Sequence, residues 1–351
     1  MNVTGKATTA VRILDPQKEP ADAWDSFVAS HDAGAIFHTA DWGRAVARAL
    51  GHRPYVLLAE RGGEIVGGVP LTHVRSRLFD NALVSNGFAV EAGPLACDAE
   101  VGQELDQAAV ALGERLKVDF VEYRLRARRN TDWAARTDLY ATFSKELAAD
   151  DETNMKAIPR KQRAMVRKGI ANGLASHVTQ DVAPLYEIYA ESVRNLGTPV
   201  FTRRLFEELK RTFGERCEVL IITHDGKPVA GVMSFYDGQT VRPYYGGGTA
   251  AARDLAANDF MYWEVMRRAR ERGCTEFDFG RSKVGTGPYR FKKNWGFTPV
   301  PLVYEYRLIN ADRVPETNPS NPKFRRAIAI WKRLPLPVTK ALGPVISKGL
   351  A

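Results

Sequence analysis

The chain has 351 residues, 44% of them hydrophobic, enough for two domains of ordinary size, each with its own core. Its formal charge of +9 points to an anionic partner such as nucleic acid, a nucleotide phosphate or a membrane surface. Cys97, Cys217 and Cys274 are odd in number and far apart, which excludes a disulfide framework and a CxxC metal site and suits a reducing compartment.

Residues 1–7 lack the apolar core of a signal peptide, and no 18-residue apolar run occurs. The expectation is a soluble cytoplasmic protein, with any membrane contact peripheral. Residues 21–30 read as a helix, and Phe37 to Trp42 lead into a second that runs to Leu50, with Thr39 as its cap. A strand is predicted from Tyr55 to Glu60, a turn at Arg61-Gly-Gly-Glu64 and a return strand from Ile65 to Leu71. The second half repeats this order. A helix ends at Phe213, a strand covers 217–223, a turn falls at His224-Asp-Gly-Lys-Pro228, and the return strand covers 229–235. Phe37 pairs with Phe201, Leu58 with Ile222, Gly62 with Gly226, Ile65 with Val229 and Gly67 with Gly231, each 164 positions apart. One offset across helix, strand and turn predicts two copies of one α/β unit. Each copy continues with a helix (104–117; 259–272) and a strand (119–124; 276–279), so the copies are expected to match to their ends.

Between the copies lies the run from Met155 to Gly169, basic and with Pro159 placed for a helix start. Arg160, Arg163 and Arg167 fall at i, i+3 and i+7 on one helical face, and no acid occurs from Lys156 to Gln180. A solvated surface helix would look the same; the unneutralised field favours anion binding. Downstream, Val241 to Gly248 is an aromatic strand containing Tyr245 and ending in Gly246, Gly247 and Gly248. Arg253 and Asn258 then precede the 259–272 helix. A glycine-rich approach to a helix N-terminus can hold phosphate, although Asn258 would also serve as an ordinary cap. The strand 276–279 stops at Gly280. A loop with Arg281, Lys283, Gly285 and Gly287 follows, then Tyr289-Arg290-Phe291-Lys292-Lys293 and the aromatics Trp295 and Phe297. Glycines let backbone approach a ligand, and the cations suit an anionic one, although a basic turn between core elements is the plain alternative. The last forty residues turn Pro/Asn-rich from Asn310 to Pro322, then alternate between basic and apolar. Such a tail suits an anionic membrane surface or a helix docked on its own protein. The six histidines have no metal-ligand spacing, and no GxSxG elbow, P-loop or CxxC pair occurs. Chemistry by positioning and electrostatics remains.

The repeated unit, the basic run 156–169 and Tyr289-Arg-Phe-Lys-Lys-Asn-Trp-Gly-Phe297 together resemble FemAB-type aminoacyl/peptidyl transferases, from about Phe37 to Arg307. The nearest likeness is to the FemAB-like group associated with exosortase/PEP-CTERM and exopolysaccharide gene clusters. The resemblance implies an α/β fold of two tandem GNAT-like domains (10–150 and 151–310) and a tail (311–351). It implies attack of an acceptor amine on an activated carbonyl, with no intrinsic cofactor. The donor would be aminoacyl-tRNA or acyl-CoA, and the acceptor a nucleotide- or lipid-linked envelope sugar. The family's Phe-Lys motif falls on Phe291 and Lys292. Lys292 is thereby expected to stabilise the oxyanion, worth about 3 kcal/mol, with Lys293 as fallback. Tyr245 and Tyr289 would line the channel. Lys156, Arg160, Arg163 and Arg167, with Arg281, Lys283 and Arg290, would meet anionic substrate. The helical arm of several tRNA-dependent members is missing. Two other readings stay open: an acyl-CoA-dependent N-acetyltransferase using Gly246 to Asn258, and a non-catalytic polyanion-binding scaffold.

Overall fold

The computed structural model describes residues 8–76, 79–315 and 322–349. Residues 1–7 and the 316–321 part of the linker lie outside these. The chain forms two compact units: Met1–Thr137 with Val303–Glu316 and Lys348–Ala351, and Asp138–Leu302 with Thr317–Ser347.

Unit 1 runs β1 (Thr9–Leu14), α1 (Asp22–Ser30), α2 (Ala40–Leu50), β2 (Arg53–Arg61), β3 (Glu64–Arg75), β4 (Asn81–Ser85), β5 (Leu95–Ala96), α3 (Ala99–Leu116), β6 (Phe120–Leu125) and β7 (Ala134–Arg136). Helix α2 starts as its sequence predicts: the Thr39 hydroxyl accepts from the Trp42 amide, and Gly51 ends the helix in the left-handed region. The β2–β3 turn places Gly62 and Gly63 at φ 61° and 89°, the two positive values that a tight hairpin turn requires. Alternate residues of the sheet (Tyr55, Leu57, Val69, Leu71, Leu83, Val121) pack on Leu105, Ala109 and Leu112 of α3. The other face holds Val56 and Leu58 against Trp24 and Val28 of α1.

Unit 2 opens with β8 (Tyr140–Glu146), α4 (Asp151–Ala157), α5 (Arg160–Ala171), β9 (Ala175–Thr179), α6 (Ala183–Leu196), α7 (Arg203–Phe213) and β10 (Cys217–His224). It continues with β11 (Lys227–Asp237), β12 (Thr240–Gly248), α8 (Ala257–Glu271), β13 (Glu276–Asp278), β14 (Ser282–Lys283), α9 (Gly287–Asn294) and β15 (Pro299–Pro301). Asp225 and Gly226 repeat the positive-φ pair in the β10–β11 turn. Leu220, Ile222, Val232, Phe277 and Phe143 of the sheet share a core with Val166 of α5, Phe260 and Met261 of α8, and Trp295. The chain then supplies β16 (Val303–Leu308) to unit 1, and α10 (Pro322–Trp331) and α11 (Leu336–Ser347) to unit 2.

The sheets run β1-β2-β3-β4-β6-β16-β7 and β14-β8-β13-β12-β11-β10-β9, with β5 beside β3 and β15 beside β8. Neighbours are antiparallel except β4–β6 and β12–β13, one parallel pair in each sheet. The repeat thus holds, with two corrections. β2 and β10 start at 53 and 217, a spacing of 164, whereas α3 and α8 start at 99 and 257, a spacing of 158. The connection before the helix is longer in unit 1. The copies also do not match to their ends, because the closing strands are exchanged. β8, which follows the first repeat, pairs with β13, and β16, which follows the second, pairs with β6. The units divide at 137/138 and 302/303, and among the described residues of the C-terminal segment α10 and α11 belong to unit 2.

Candidate active site

In unit 2 the parallel pair β12–β13 lasts two residues, Thr240 opposite Glu276 and Val241 opposite Phe277. Beyond that point β12 stays on β11 as far as Gly248, and β13 stays on β8, so a wedge opens between them. A buried ion pair stands where they part: Arg242 Nη1 donates to Asp278. Asp278 Oδ1 also accepts from the Gly280 amide at 2.8 Å and the Thr142 hydroxyl at 3.4 Å. Deeper along β12 the Tyr245 ring lies among Tyr244, Phe206, Tyr189 and Phe201 at 4.8–5.9 Å between centroids. Burial pushes the Tyr245 and Tyr189 hydroxyls far above the usual phenol range. Tyr262 of α8 packs on Phe279 at 4.7 Å, and its hydroxyl is 3.3 Å from where a Cβ on Gly246 would lie, so it spans the two sides of the wedge. Burial raises that hydroxyl to about 12.

Of the residues that the resemblance singles out, Tyr289, Phe291 and Lys292 of α9 pack beside the end of β13. Lys292 is 9% exposed, and its Nζ donates to the carbonyls of Phe279 (2.6 Å), Gly280 (3.0 Å) and Arg281 (3.1 Å). All three ammonium protons are thus engaged, holding the strap that follows β13. The charge also lies over the Phe143 and Phe279 rings at 5.5 and 5.7 Å. Burial pushes Lys292 down to about 7; Asp278 opposes the shift and Arg281 adds to it. Tyr289 packs on Phe143 at 5.3 Å, and Phe291 on Tyr262 at 5.7 Å. Arg281 stacks over Tyr140 at 4.9 Å, and Lys283 is half-buried in β14. Arg290 is exposed and donates to the Gly285 carbonyl, and Lys293 is exposed.

The far end of β12 departs from expectation. Gly246, Gly247 and Gly248 are paired residues of the strand, opposite Val232, Gly231 and Ala230. Their lack of side chains is used internally. A Cβ at 247 would stand 2.6 Å from Ser192 Cβ of α6, and one at 248 would stand 2.5 Å from Ala252 Cβ. Asn258 is not the cap of the following helix either. Helix α8 starts at Ala257, its N-cap Ala256 sits at φ 58°, and no side chain accepts from its first amides. Arg253 just before it is exposed. Asp259 in the first turn accepts from Trp295 Nε1 at 2.9 Å, and burial raises its carboxyl to about 6.

The basic run is two helices, not one. α4 ends at Ala157, Ile158 and Pro159 are extended, and α5 begins at Arg160. Lys156 belongs to α4 and pairs with Glu152 at 2.5 Å, so it is not free of acids. Gln162, Val166 and Gly169 form the buried face of α5, Gly169 against Phe260 of α8, and Pro159 packs on Gly296. Arg163 donates to the Ile158 carbonyl at 3.3 Å. Arg160 and Arg167 are exposed and make no ion pair among the described residues. They lie on the helix that joins the end of α9 to α8, outside the wedge.

Arg242, Asp278, Tyr189, Tyr262 and Asp259 escape sequence reasoning. Arg242 carries a faint signal, the one charge in β12, whereas Asp278 shares the short strand β13 with Glu276 and does not stand out. Tyr262 looks like any aromatic on a helix, and no pattern reports what stands opposite it.

Two sheets of this topology, each with one central parallel pair and flanking helices, give the chain a tandem GNAT-like α/β fold. Residues 154–293 match the family described as Acetyltransferase (GNAT) domain. Among solved structures the chain is similar to FemX, at 15% identity and TM-score 0.64, covering 86% of this chain and 98% of that one. It is also similar to a tandem GNAT protein from the clavulanic acid biosynthesis pathway, at 11% identity and TM-score 0.57 over 86% and 98%. A conserved protein of unknown function from Bacteroides thetaiotaomicron aligns at 11% identity and TM-score 0.55 over 86% and 100%. No curated protein matches the chain.

Proposed function

We propose that the chain is a FemAB-like N-acyltransferase whose acyl donor enters the wedge between β12 and β13 of unit 2. The observation that carries this is the two-residue parallel pairing followed by divergence. Two strand edges that part company leave main-chain N–H and C=O groups able to hydrogen-bond an extended acyl donor between them. Arg242–Asp278 props the wedge open. Lys292 supplies positive charge at its mouth, where the tetrahedral oxyanion forms after the acceptor amine attacks the acyl carbon. For that step Lys292 Nζ turns one N–H from a strap carbonyl to the oxyanion. The oxyanion then collapses by breaking the bond from the acyl carbon to the donor oxygen or sulfur, and the departing alcohol or thiol takes the proton that the amine gives up. The acceptor we propose is an amine on a cell-envelope or exopolysaccharide precursor, lipid- or nucleotide-linked, in the manner of the exosortase-associated group. Its phosphates meet Arg160 and Arg167.

One feature favours a second reading within the same wedge, an acyl-CoA donor. The first amides of α8 have no side-chain cap, and exposed Arg253 lies just before them in the chain, a combination that suits a diphosphate. Calorimetric titration with aminoacyl-tRNA, uncharged tRNA and acetyl-CoA separates the donors. Saturation by one donor molecule per chain supports the wedge. Charged tRNA binding selects the aminoacyl reading and acetyl-CoA binding the second. Binding of charged and uncharged tRNA alike, with no transfer to any amine, would leave a polyanion-binding scaffold and sink both.

A further inference from the structure

The segment from Thr317 to the end holds seven cations (Lys323, Arg325, Arg326, Lys332, Arg333, Lys340, Lys348) and no acid. Most of the chain's net charge of +9 is therefore concentrated in about a tenth of its length. Helix α11 is fixed to unit 2 by one face. Thr339, Gly343 and Ser347 are buried, a Cβ on Gly343 would stand 2.9 Å from Val200, the Ser347 hydroxyl donates to the Val200 carbonyl at 3.0 Å, and Lys340 pairs with Glu187 at 2.5 Å. α10 is held alongside by Trp331, 9% exposed, and by Ile328 against Gly197.

The remaining surface of α11 is the unusual one. Pro337, Val338, Ala341, Leu342 and Val345 are all exposed. At 3.6 residues per turn they fill a continuous arc of roughly 140° without a charge in it. Val338, Leu342 and Val345 are 39%, 48% and 68% exposed, and Ile330 of α10 is 63% exposed. Lys332 and Arg333 are exposed between the two helices. A rigidly held apolar arc set in an acid-free basic segment is the composition of a helix lying in a lipid interface.

We infer that α10 and α11 dock unit 2 on an anionic lipid bilayer, the α11 arc entering the headgroup boundary while the surrounding Lys and Arg meet lipid phosphates. A second copy of the chain is the less suitable occupant, since pairing these faces would bring two acid-free cationic segments together. Among the described residues no helix is long and apolar enough to cross a membrane, so the contact is peripheral. Docking and acyl transfer can each fail without the other.

The experiment is sedimentation of the full chain with vesicles of phosphatidylcholine alone and of phosphatidylcholine mixed with phosphatidylglycerol, at low and high salt. Binding to the mixed vesicles, weakened by salt, is expected. Val338→Glu/Leu342→Glu/Val345→Glu should lower that binding by at least about tenfold while the unfolding temperature stays put, because those side chains are exposed. Lys332→Glu/Arg333→Glu, which leaves the arc intact, should weaken binding to the mixed vesicles and flatten its salt dependence. Vesicle binding unchanged in both variants overturns the inference. So does a concentration-dependent dimer that the triple variant dissociates, because the arc is then a self-interface.

Discussion

The corresponding strands of the two units leave their parallel partner in opposite ways. In unit 1, β4 pairs with β6 through three residues and then stops at Ser85. Residues 86–93, all buried, leave the strand and cross to β6 before β5 rejoins β3. Ala92 N donates to the Arg124 carbonyl at 3.3 Å, Arg124 Nη1 donates to the Ala89 carbonyl at 3.0 Å, and Arg126 grips Glu91 through two 2.6 Å bonds. The place where unit 2 has a wedge is filled, in unit 1, by the chain's own backbone. In unit 2, β12 runs unbroken to Gly248 and that detour is missing. One fold thus gives one closed and one open copy, and the difference comes from whether a strand interrupts itself. This is also why the constant 164-residue spacing fails after the hairpins.

If the contrast is right, the two buried arginines should behave alike in stability and differently in function. Arg124→Met leaves Glu122, its 2.7 Å partner, buried without its cation, and Arg242→Met does the same to Asp278. Each should cost about 3–5 kcal/mol in urea unfolding. Donor affinity of the remaining folded protein should drop only for Arg242→Met. Equal affinity in both variants would mean that the wedge is not the donor site.

Lys292→Met is expected to lower turnover about 10²- to 10³-fold with the fold retained by circular dichroism. Wild-type turnover from this variant would reduce Lys292 to a clamp on the 279–281 strap, the role that Arg124 has in unit 1. The same lysine gives a pH signature. Its pKa falls from 10.5 unfolded to about 7 folded, so between those values the unfolded chain binds the additional proton. Stability from this group therefore rises with pH above 7, by at most ~1.4 kcal/mol per pH unit. Subtracting the unfolding curves of Lys292→Met from wild type between pH 7 and 9 isolates it. A flat difference would mean that the three carbonyls keep the proton on. The smallest effect belongs to α5. Arg160→Ala/Arg167→Ala should leave stability within about 0.5 kcal/mol. The salt dependence of acceptor binding should become shallower by about one unit of slope per lost phosphate contact. An unchanged slope would take the basic helix out of the acceptor site.

Much of the architecture is legible in the residues themselves, for reasons that are local. The Gly62-Gly63 and Asp225-Gly226 turns, the Thr39 cap and the continuous apolar runs of β2 and β10 are set by backbone sterics and by which side chains must leave water. One register across two copies exposes the repeat, and the Phe291-Lys292 block leads to the wall of the wedge. What the residues cannot state is which strand closes which sheet, because β8 and β16 suit either partner until both sheets exist. Nor can they state whether Gly247 and Gly248 face a ligand or Ser192 and Ala252, since the requirement for no side chain is the same in both cases. The burial of Lys292 and its three carbonyl partners, the Arg242–Asp278 pair and the filled gap of unit 1 all join residues distant in sequence. Only tertiary packing, which fixes what stands within a few ångströms of what, decides them.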